Sequence, residues 1–485
     1  MRILFIDIDT LRPDHLGCYG YPRNTSPNLD RLAQEGIRFE RYYTSDAPCL
    51  PSRAALQTGM FGIRNGAVGH GGTAADLRLT GCGRDFRDPV LENSFHNTFR
   101  KAGLYTASIS TFAERHSSHW FHAGFHETYN QGGGGAESGE EVVPIALDWL
   151  NRNRDRDNWF LHLHLWDPHT PYRTPADYQN PFEGDDLPTW ITPDIFRRHQ
   201  SLVAPHGCNE INMYTDEELP DYPKHPGKIA HYGELRRVLD GYDCGVHYAD
   251  QLLGQVFDLL RAQGIYEDTA IILTSDHGEN LGELGIYAEH GTADEITCRI
   301  PMIIKWPGLA SGRVDTAFHY SLDLLPTLAD MLGVPQAAHW DGQSFAKTLT
   351  HDEPQGRDAL VLSQMAHVCQ RSARFSDWLY IRTIHDGFRL FDEEMLFNIT
   401  QDPHEQFDVK DDHPDICAQG ARIILNWTEA QMKKGPQMID PMWTVMREGG
   451  PYHIRGALAG YLQRLENTGR AEGAKRLREK HGERN

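Results

Sequence analysis

The run Ile3-Leu4-Phe5-Ile6-Asp7-Ile8-Asp9 constrains the fold of this chain more than any other stretch. A nearly continuous apolar strand is one buried on both faces, as in the centre of a parallel sheet covered by helices. Asp7 and Asp9 interrupt the run at spacing two, so both carboxylates face the same side. A buried carboxylate without a partner is costly, and a metal ion or a positively charged neighbour would offset that cost. The loop 10–21 then leaves the carboxyl end of the strand, the edge at which open α/β sheets place their ligands.

Strand and helix signals alternate through the following 340 or so positions. Leu29, Leu32 and Ala33 share one face of a predicted helix over 27–35. Strand-like runs follow at 104–109, 159–166, 269–274 and 300–306. A longer helix is predicted through Val238, Tyr242, Val246, Ala249 and Leu253. The glycine-rich loop 65–72 carries one histidine, His70. Residues 181–226 break into Pro, Asp and aromatic positions without periodicity, which is long for a structureless loop and assigns them to an insertion or substrate-side cap. Past about residue 355, short strands crowd together at 359–363, 372–375 and 378–383, with a helix at 415–432. The tail 461–485, rich in Arg, Glu and Ala, reads as a solvated helix with a frayed end. The expected fold class is α/β, with a large, mostly parallel central sheet flanked by helices over 1–355. A smaller α+β subdomain with an antiparallel sheet is expected over 356–485.

Within the larger unit, positions 49–59 read Cys-Leu-Pro-Ser-Arg-Ala-Ala-Leu-Gln-Thr-Gly. Proline has a fixed φ and no amide hydrogen, so Pro51 suits a first helical position and predicts a short helix over 52–58, stopped by Gly59. Cys49 then sits just ahead of a helix N-terminus, where unpaired amides and the dipole favour negative charge. Arg53, one turn in, can point back at the same spot. A lone cysteine at a helix start is more often a small buried residue, but the whole string is far more specific. Asp9 ends the first strand, and Asp276-His277 follows the strand 269–274. Two carboxylates and an imidazole at one sheet edge can hold a divalent cation. Their oxygens favour Ca2+, and the histidine leaves Mn2+ or Zn2+ open.

Cys-x-Pro-Ser-Arg followed by Leu-x-Thr-Gly resembles the signature of the formylglycine-dependent sulfatases, members of the alkaline-phosphatase-like superfamily, and the likeness extends over roughly residues 3–410. It implies that a maturation enzyme oxidises Cys49 to formylglycine, whose hydrated aldehyde is the nucleophile, and that Arg53 holds the modified side chain. It further implies a single divalent metal held by Asp9, Asp276, His277 and residue 49. The second Asp of the family's first motif is Thr10 here, and Asp7 is the candidate that would compensate. The segment Asp167-Pro168-His169-Thr170-Pro171-Tyr172 resembles the family's Pro-His-x-Pro-Tyr, which gives His169 a sulfate contact. His290, counted back from Arg299-Ile300-Pro301, falls where many members carry a sulfate-binding lysine. The family's Gly-Lys-Trp-His-x-Gly motif is absent. Ser110-Thr111-Phe112-Ala113 stands in its place, and Arg115, His116 and His119 follow as candidates, with His70, for binding substrate. The resemblance implies a covalent, two-step hydrolysis in which His290 or His169 protonates the leaving alkoxide and the second hydroxyl of the diol expels sulfate.

Composition narrows the partners. A net charge of -21 with no basic tract argues against nucleic acid. Positive charge for an anionic ester must therefore be local, from a metal, Arg53 and some of the 26 histidines. The eight cysteines are scattered, with no Cys-x-x-Cys pair, in neither a zinc-ligand nor a disulfide pattern. No signal peptide precedes the first strand, and no apolar run is long enough to span a bilayer. These features lead to the expectation of a cytoplasmic enzyme that does not enter membranes.

The expected substrate is a small sulfated sugar attacked from its end. Trp166, Trp340 and Trp443 are candidate platforms for sugar rings, and the segments 181–226 and 447–453 are candidate cleft walls. The alternative activity is hydrolysis of phosphonate monoesters or phosphodiesters, which would share the formylglycine and metal ligands. A non-catalytic glycan-binding scaffold predicts loss of Cys49, Arg53, Asp9, Asp276 or His277, and all five are present.

Overall fold

The structure, a computed structural model, describes residues 1–78, 88–212, 215–434 and 439–482. Cys82, residues 213–214 of the predicted insertion and residues 483–485 of the tail lie outside the described residues.

The opening strand, β1 (Arg2–Ile8), sits inside an eight-stranded sheet. Its partners are β2 (Ile37–Tyr43), β4 (Tyr105–Ile109), β5 (Glu127–Tyr129), β6 (Trp159–Leu165), β7 (Thr269–Thr274), β10 (Met302–Lys305) and β11 (Arg313–Tyr320). The order is β11-β2-β10-β7-β1-β6-β4-β5. Among the described strands of this sheet only β10 runs against its neighbours, so the sheet is mostly parallel. β1 lies between β6 and β7, with Asp7 beside His164 on one side and Thr274 on the other.

The period-two pattern of β1 divides the core. Leu4, Ile6 and Ile8 pack with Val238, Tyr242, Val246, Ala249 and Leu253 of the helix Tyr232–Ala262 and with Leu29 and Leu32 of α1 (Pro27–Glu35). Ile3 and Phe5 pack on the other face with Phe160, Ile272 and Leu328. Each such side chain, fully buried, contributes about 1.5–3 kcal/mol. Asp7 and Asp9 share the face of Ile3 and Phe5, under the helix that begins at Cys49. Two flanking strands, β2 and β11, are not predicted by the sequence pattern. Their alternation is filled with charged residues such as Arg38, Glu40 and Asp315, which hides the strand signal.

A second, five-stranded sheet has the order β15-β14-β13-β12-β3. It combines β3 (Asp46–Ala47) with β12 (Ala359–Gln364), β13 (Cys369–Phe375), β14 (Trp378–His385) and β15 (Glu394–Asn398). The pairing of β3 with β12 ties the residues just before Cys49 to this later sheet. β8 (Asn280–Leu281) and β9 (Tyr287–Glu289) form a small hairpin beside the sheet edge.

One expectation is corrected, and one segment without periodicity in the sequence holds a helix. The segment 181–226 holds a helix, Pro193–Gln200, opened by Thr192, whose hydroxyl accepts from Ile195 N at 3.2 Å, and by Pro193 in its first turn. The tail is not a solvated helix. Leu458–Asn467 and Ala471–His481 form a hairpin that buries Tyr461, Leu462, Leu465, Ala474 and Leu477 against Phe388 and Ile454. Those apolar positions recur at helical spacing beneath the charged ones that dominate the composition. The seven described cysteines are free thiols, and no helix among the described residues is long and apolar enough to cross a membrane.

Candidate active site

The carboxyl ends of β1 and β7 and the start of α2 (Cys49–Thr58) meet at one point. The helix begins earlier than expected. Cys49 is its first residue and Pro51 its third, and the first helical bond runs from Ser52 N to Pro48 O at 3.0 Å. A proline is tolerated there because the first-turn amides have no partner within the helix. Gly59, with φ of 65°, ends the helix in the left-handed conformation. Ser52 Oγ donates to Asp276 O at 2.7 Å, which fixes the helix start over the end of β7. Behind that strand end, a Cβ on Gly278 would lie 2.1 Å from Ile296 O, so the Asp276-His277-Gly278 turn requires glycine there.

Asp9, Cys49, Asp276 and His277 each offer one donor atom, all within 4.8 Å of one another, and all four residues are buried. Cys49 Sγ lies 3.1 Å from His277 Nε2. Asp7 is not one of the four. Its Oδ2 accepts from Arg53 Nε at 2.9 Å and lies 3.7 Å from His162 Nε2. Arg53 donates through Nη1 to Asp9 Oδ2 at 3.1 Å and to Asp276, and through Nη2 to His164 Nε2 at 2.8 Å. Its hydrogen bonds thus run to the carboxylates beneath residue 49. Thr10, with φ of 58°, donates its N–H to Asp276 Oδ1 at 3.3 Å, and its carbonyl accepts from Tyr242 Oη at 2.7 Å. A β-branched residue seldom adopts that conformation, and the surrounding bonds hold it there.

Burial pushes Asp7 and Asp9 up, but Arg53 and the neighbouring imidazoles more than reverse this and hold both below the usual carboxylate range. Asp276 is raised by burial and by Asp9, against the pull of Arg53. Burial, Asp9 and Asp276 push the Cys49 thiol well up, so it is a protonated thiol and not a ready nucleophile. Three carboxylates against one guanidinium leave two negative charges, which one divalent cation cancels.

Of these groups Cys49 lines a cleft of about 580 Å³, together with His70, Arg115, His116, His169, His290 and Tyr452, and the buried carboxylates and His277 lie behind it as a floor. The His169 ring lies 5.1 Å from that of His290, and His169 Nε2 is 3.9 Å from Asp9 Oδ1. Burial lowers both imidazoles well below the usual range, so they stay neutral at neutral pH. His119 is exposed on the turn His119–His122 and does not line the cleft. Nor do the three tryptophans. Trp166 is buried and donates to Thr111 Oγ1 at 3.0 Å, Trp340 donates to Asn93 O at 2.9 Å, and Trp443 is 52% exposed elsewhere. The expected walls do contribute Ile211, Leu219, Tyr452 and His453.

Sequence reasoning assigned no role to His162, His164, Glu279, Glu289 or His367. The alternation Leu161-His162-Leu163-His164-Leu165 is visible in the sequence and puts both imidazoles on the Asp7 face of the sheet, where Ser108 and Ser110 of β4 and its following turn hold their Nδ1 atoms at 2.9 Å. Glu279 Oε2 lies 3.1 Å from His290 Nδ1. Nothing local in the sequence announces that pairing.

A family model described as "Sulfatase" matches residues 2–334. The multifunctional alkaline phosphatase superfamily protein PehA of Trinickia caryophylli is 28% identical over 382 residues, which cover 68% of this chain and 72% of that protein. Two solved structures share the fold at 20% identity. The phosphonate monoester hydrolase of Agrobacterium radiobacter has a TM-score of 0.66, over 89% of this chain and 95% of that one. A protein in complex with its substrate D-glucosamine-2-N,6-O-disulfate has a TM-score of 0.68, over 90% and 98%.

Proposed function

The chain belongs to the sulfatase family, and on that premise we propose that it hydrolyses the O-sulfate ester of a small sugar, using a formylglycine made from Cys49 and one divalent cation. The observation that carries this reading is the joining of Cys49, which lines a polar cleft, to the buried Asp9, Asp276 and His277 behind it.

The residues fit a cation. Four buried donors converge, Asp9 Oδ1 has no hydrogen-bond partner, and the net charge of the floor calls for two positive charges. Asp9, Asp276, His277 and residue 49 would hold it, and two carboxylate ligands favour Ca2+ over a softer ion. Bound there, the cation supplies Lewis-acid polarisation of the ester oxygen. Formylglycine, when hydrated, supplies one hydroxyl to attack sulfur and a second to release it. A maturation enzyme acting on the Cys-x-Pro-Ser-Arg string is the partner this requires.

The remaining work falls to ordinary side chains. Arg53 fixes Asp7, Asp9 and Asp276, and His277 orients residue 49. His169 Nδ1 donates to the Thr170 carbonyl, which leaves Nε2 as the proton acceptor of a neutral ring. Glu279 is raised well above the usual carboxyl range by burial, Glu289 and Asp9. It therefore keeps its proton and donates a hydrogen bond to His290 Nδ1, so that the other ring nitrogen of His290 carries the hydrogen for the leaving oxygen. The cleft volume suits a mono- or disaccharide, and its imidazole, guanidinium, amide and phenol lining suits hydroxyl groups better than an aryl ring.

Phosphonate monoester hydrolysis is the second reading, favoured by the structural likeness to such a hydrolase. The neutral floor serves a monoanionic ester of either kind. The test is kcat/KM on fully matured enzyme for a sulfated monosaccharide, an aryl sulfate and a phosphonate monoester. The sulfated sugar is expected to be preferred. A phosphonate preference above about tenfold, equivalent to about 1.4 kcal/mol of transition-state stabilisation, overturns the assignment.

A further inference from the structure

We propose that His70, His367 and His453 form a second divalent-cation site on the wall of the cleft, separate from the Asp9–Asp276 floor and of the kind that takes Zn2+.

The three imidazoles come from the loop 65–72, the turn after β12 and the turn Tyr452–Ile454, and one ring nitrogen from each lies within 4.8 Å of the others. Zn–N distances of 2.0–2.1 Å in a tetrahedral site put ligand nitrogens about 3.3 Å apart. His70 Nδ1 and His453 Nε2 are 2.9 Å apart, and the rings of His367 and His453 stack at 4.2 Å. Little movement separates this arrangement from a coordinating one.

His367 supplies an independent reason. It is 4% exposed, it lines the cleft, and neither ring nitrogen has a hydrogen-bond partner. A buried imidazole with both nitrogens unused is costly, and a ligand relieves it. The turns that carry His367 and His453 are fixed to each other. Gln364 Oε1 accepts from Ala366 N and His367 N at 3.0 and 3.1 Å, and His453 N donates to Ala366 O at 3.1 Å. Glu289 Oε2 lies 3.7 Å from His367 Nδ1 and is anchored by Arg389 at 2.6 Å. That puts an anchored carboxylate beside one ring nitrogen of His367, the usual companion of a histidine that binds metal through its other nitrogen.

The donor set separates this site from the floor. Three imidazoles without a carboxylate ligand select zinc, nickel or copper and not calcium. Burial lowers His70 and His367 well below the usual range and His453 to about 4, so lone pairs and not positive charges face the cleft at neutral pH. With three protein ligands, a fourth position faces the space that also holds Cys49, where a substrate oxygen can take it. The cation site stands whichever ester the floor cleaves.

The experiment uses the full chain, stripped by chelator, saturated with Ca2+ and then titrated with Co2+ while the visible absorption of tetrahedral cobalt is followed. One equivalent is expected to bind. His367→Ala and His453→Gln are expected to weaken it by more than about tenfold, whereas Asp276→Asn leaves it unchanged. Circular dichroism checks folding. If His367→Ala does not fold, His453→Gln, on a partly exposed turn, decides the matter. Co2+ binding that is unchanged in the folded histidine variants, or lost in Asp276→Asn, overturns the proposal, as does wild-type protein that takes up no Co2+ beside Ca2+.

Discussion

Arg53 Nε donates to Asp7 Oδ2 at 2.9 Å, and this bond joins the helix that carries Cys49 to the central strand of the sheet. The same guanidinium reaches Asp9, Asp276 and His164, so one buried cation organises three buried carboxylates from two strand ends. Its hydrogen bonds run to the carboxylates and to His164 around the unmodified Cys49. This makes Arg53 the electrostatic keystone of the floor.

Removing that cation exposes the cost of the cluster. Arg53→Met is expected to destabilise the fold by about 3–5 kcal/mol, the usual penalty for leaving buried charges uncompensated. Urea unfolding of the unmodified protein measures it. A loss below about 1 kcal/mol would show that the carboxylates find another partner.

The Cys49 thiol is buried and protonated, so activity should follow its conversion and not the thiol itself. Protein produced together with a maturation enzyme is expected to carry an aldehyde at position 49 and to gain turnover in proportion. Peptide mass analysis beside rate measurements tests this. Cys49→Ala should be inactive yet melt near the wild type, since the side chain is small. Full activity in a preparation whose position 49 is entirely thiol would sink the idea.

Cation removal should act through the floor. Asp276→Asn is expected to lose most turnover by taking away one carboxylate, and prolonged chelation should do the same to the wild type, with activity restored by Ca2+. Undiminished turnover of a chelated preparation shown by elemental analysis to be metal-free is the contrary outcome.

In the proposed mechanism His290 and Glu279 divide the work of proton delivery. His290→Gln should lower kcat by about 10²–10⁴-fold with a smaller change in KM. Glu279→Gln keeps a donor near His290 Nδ1 but cannot ionise, so it should preserve much of kcat while moving the alkaline limb of the pH profile. Equal losses in both variants with unmoved limbs would assign Glu279 to packing alone.

Acid should loosen the segment 181–226. Burial lowers His199 and His225 to about 4 in the folded protein. His199 holds Tyr287 and Gln406, and His225 holds Thr170. Between about pH 4 and the usual imidazole value of 6.5, the unfolded chain binds the more protons. The stabilisation is therefore complete above 6.5 and is lost as pH falls through that window, by up to about 1.4 kcal/mol per pH unit for each imidazole. Denaturant unfolding at stepped pH values measures the slope, and His199→Gln should flatten it. An unchanged slope in that variant contradicts the assignment.

The sequence by itself determined the central strand, the shared face of Asp7 and Asp9, the special string at Cys49 and the Asp276-His277 turn. Each of these is written within a few consecutive residues, where strand and helix periodicity dictate direction. The alternation that puts His162 and His164 on one face was equally local, although it did not name Arg53 or Asp7 as their partners. Other features depend on register and packing between distant segments. Strand pairing put Asp7 beside His164, and the β3–β12 ladder tied the Cys49 helix to the later sheet. His70 met His453 across 383 positions of chain. Charged residues on β2, β11 and the tail masked apolar faces that became visible only when a neighbour covered them. Periodicity states which way a side chain points, and only the folded chain decides what it meets there.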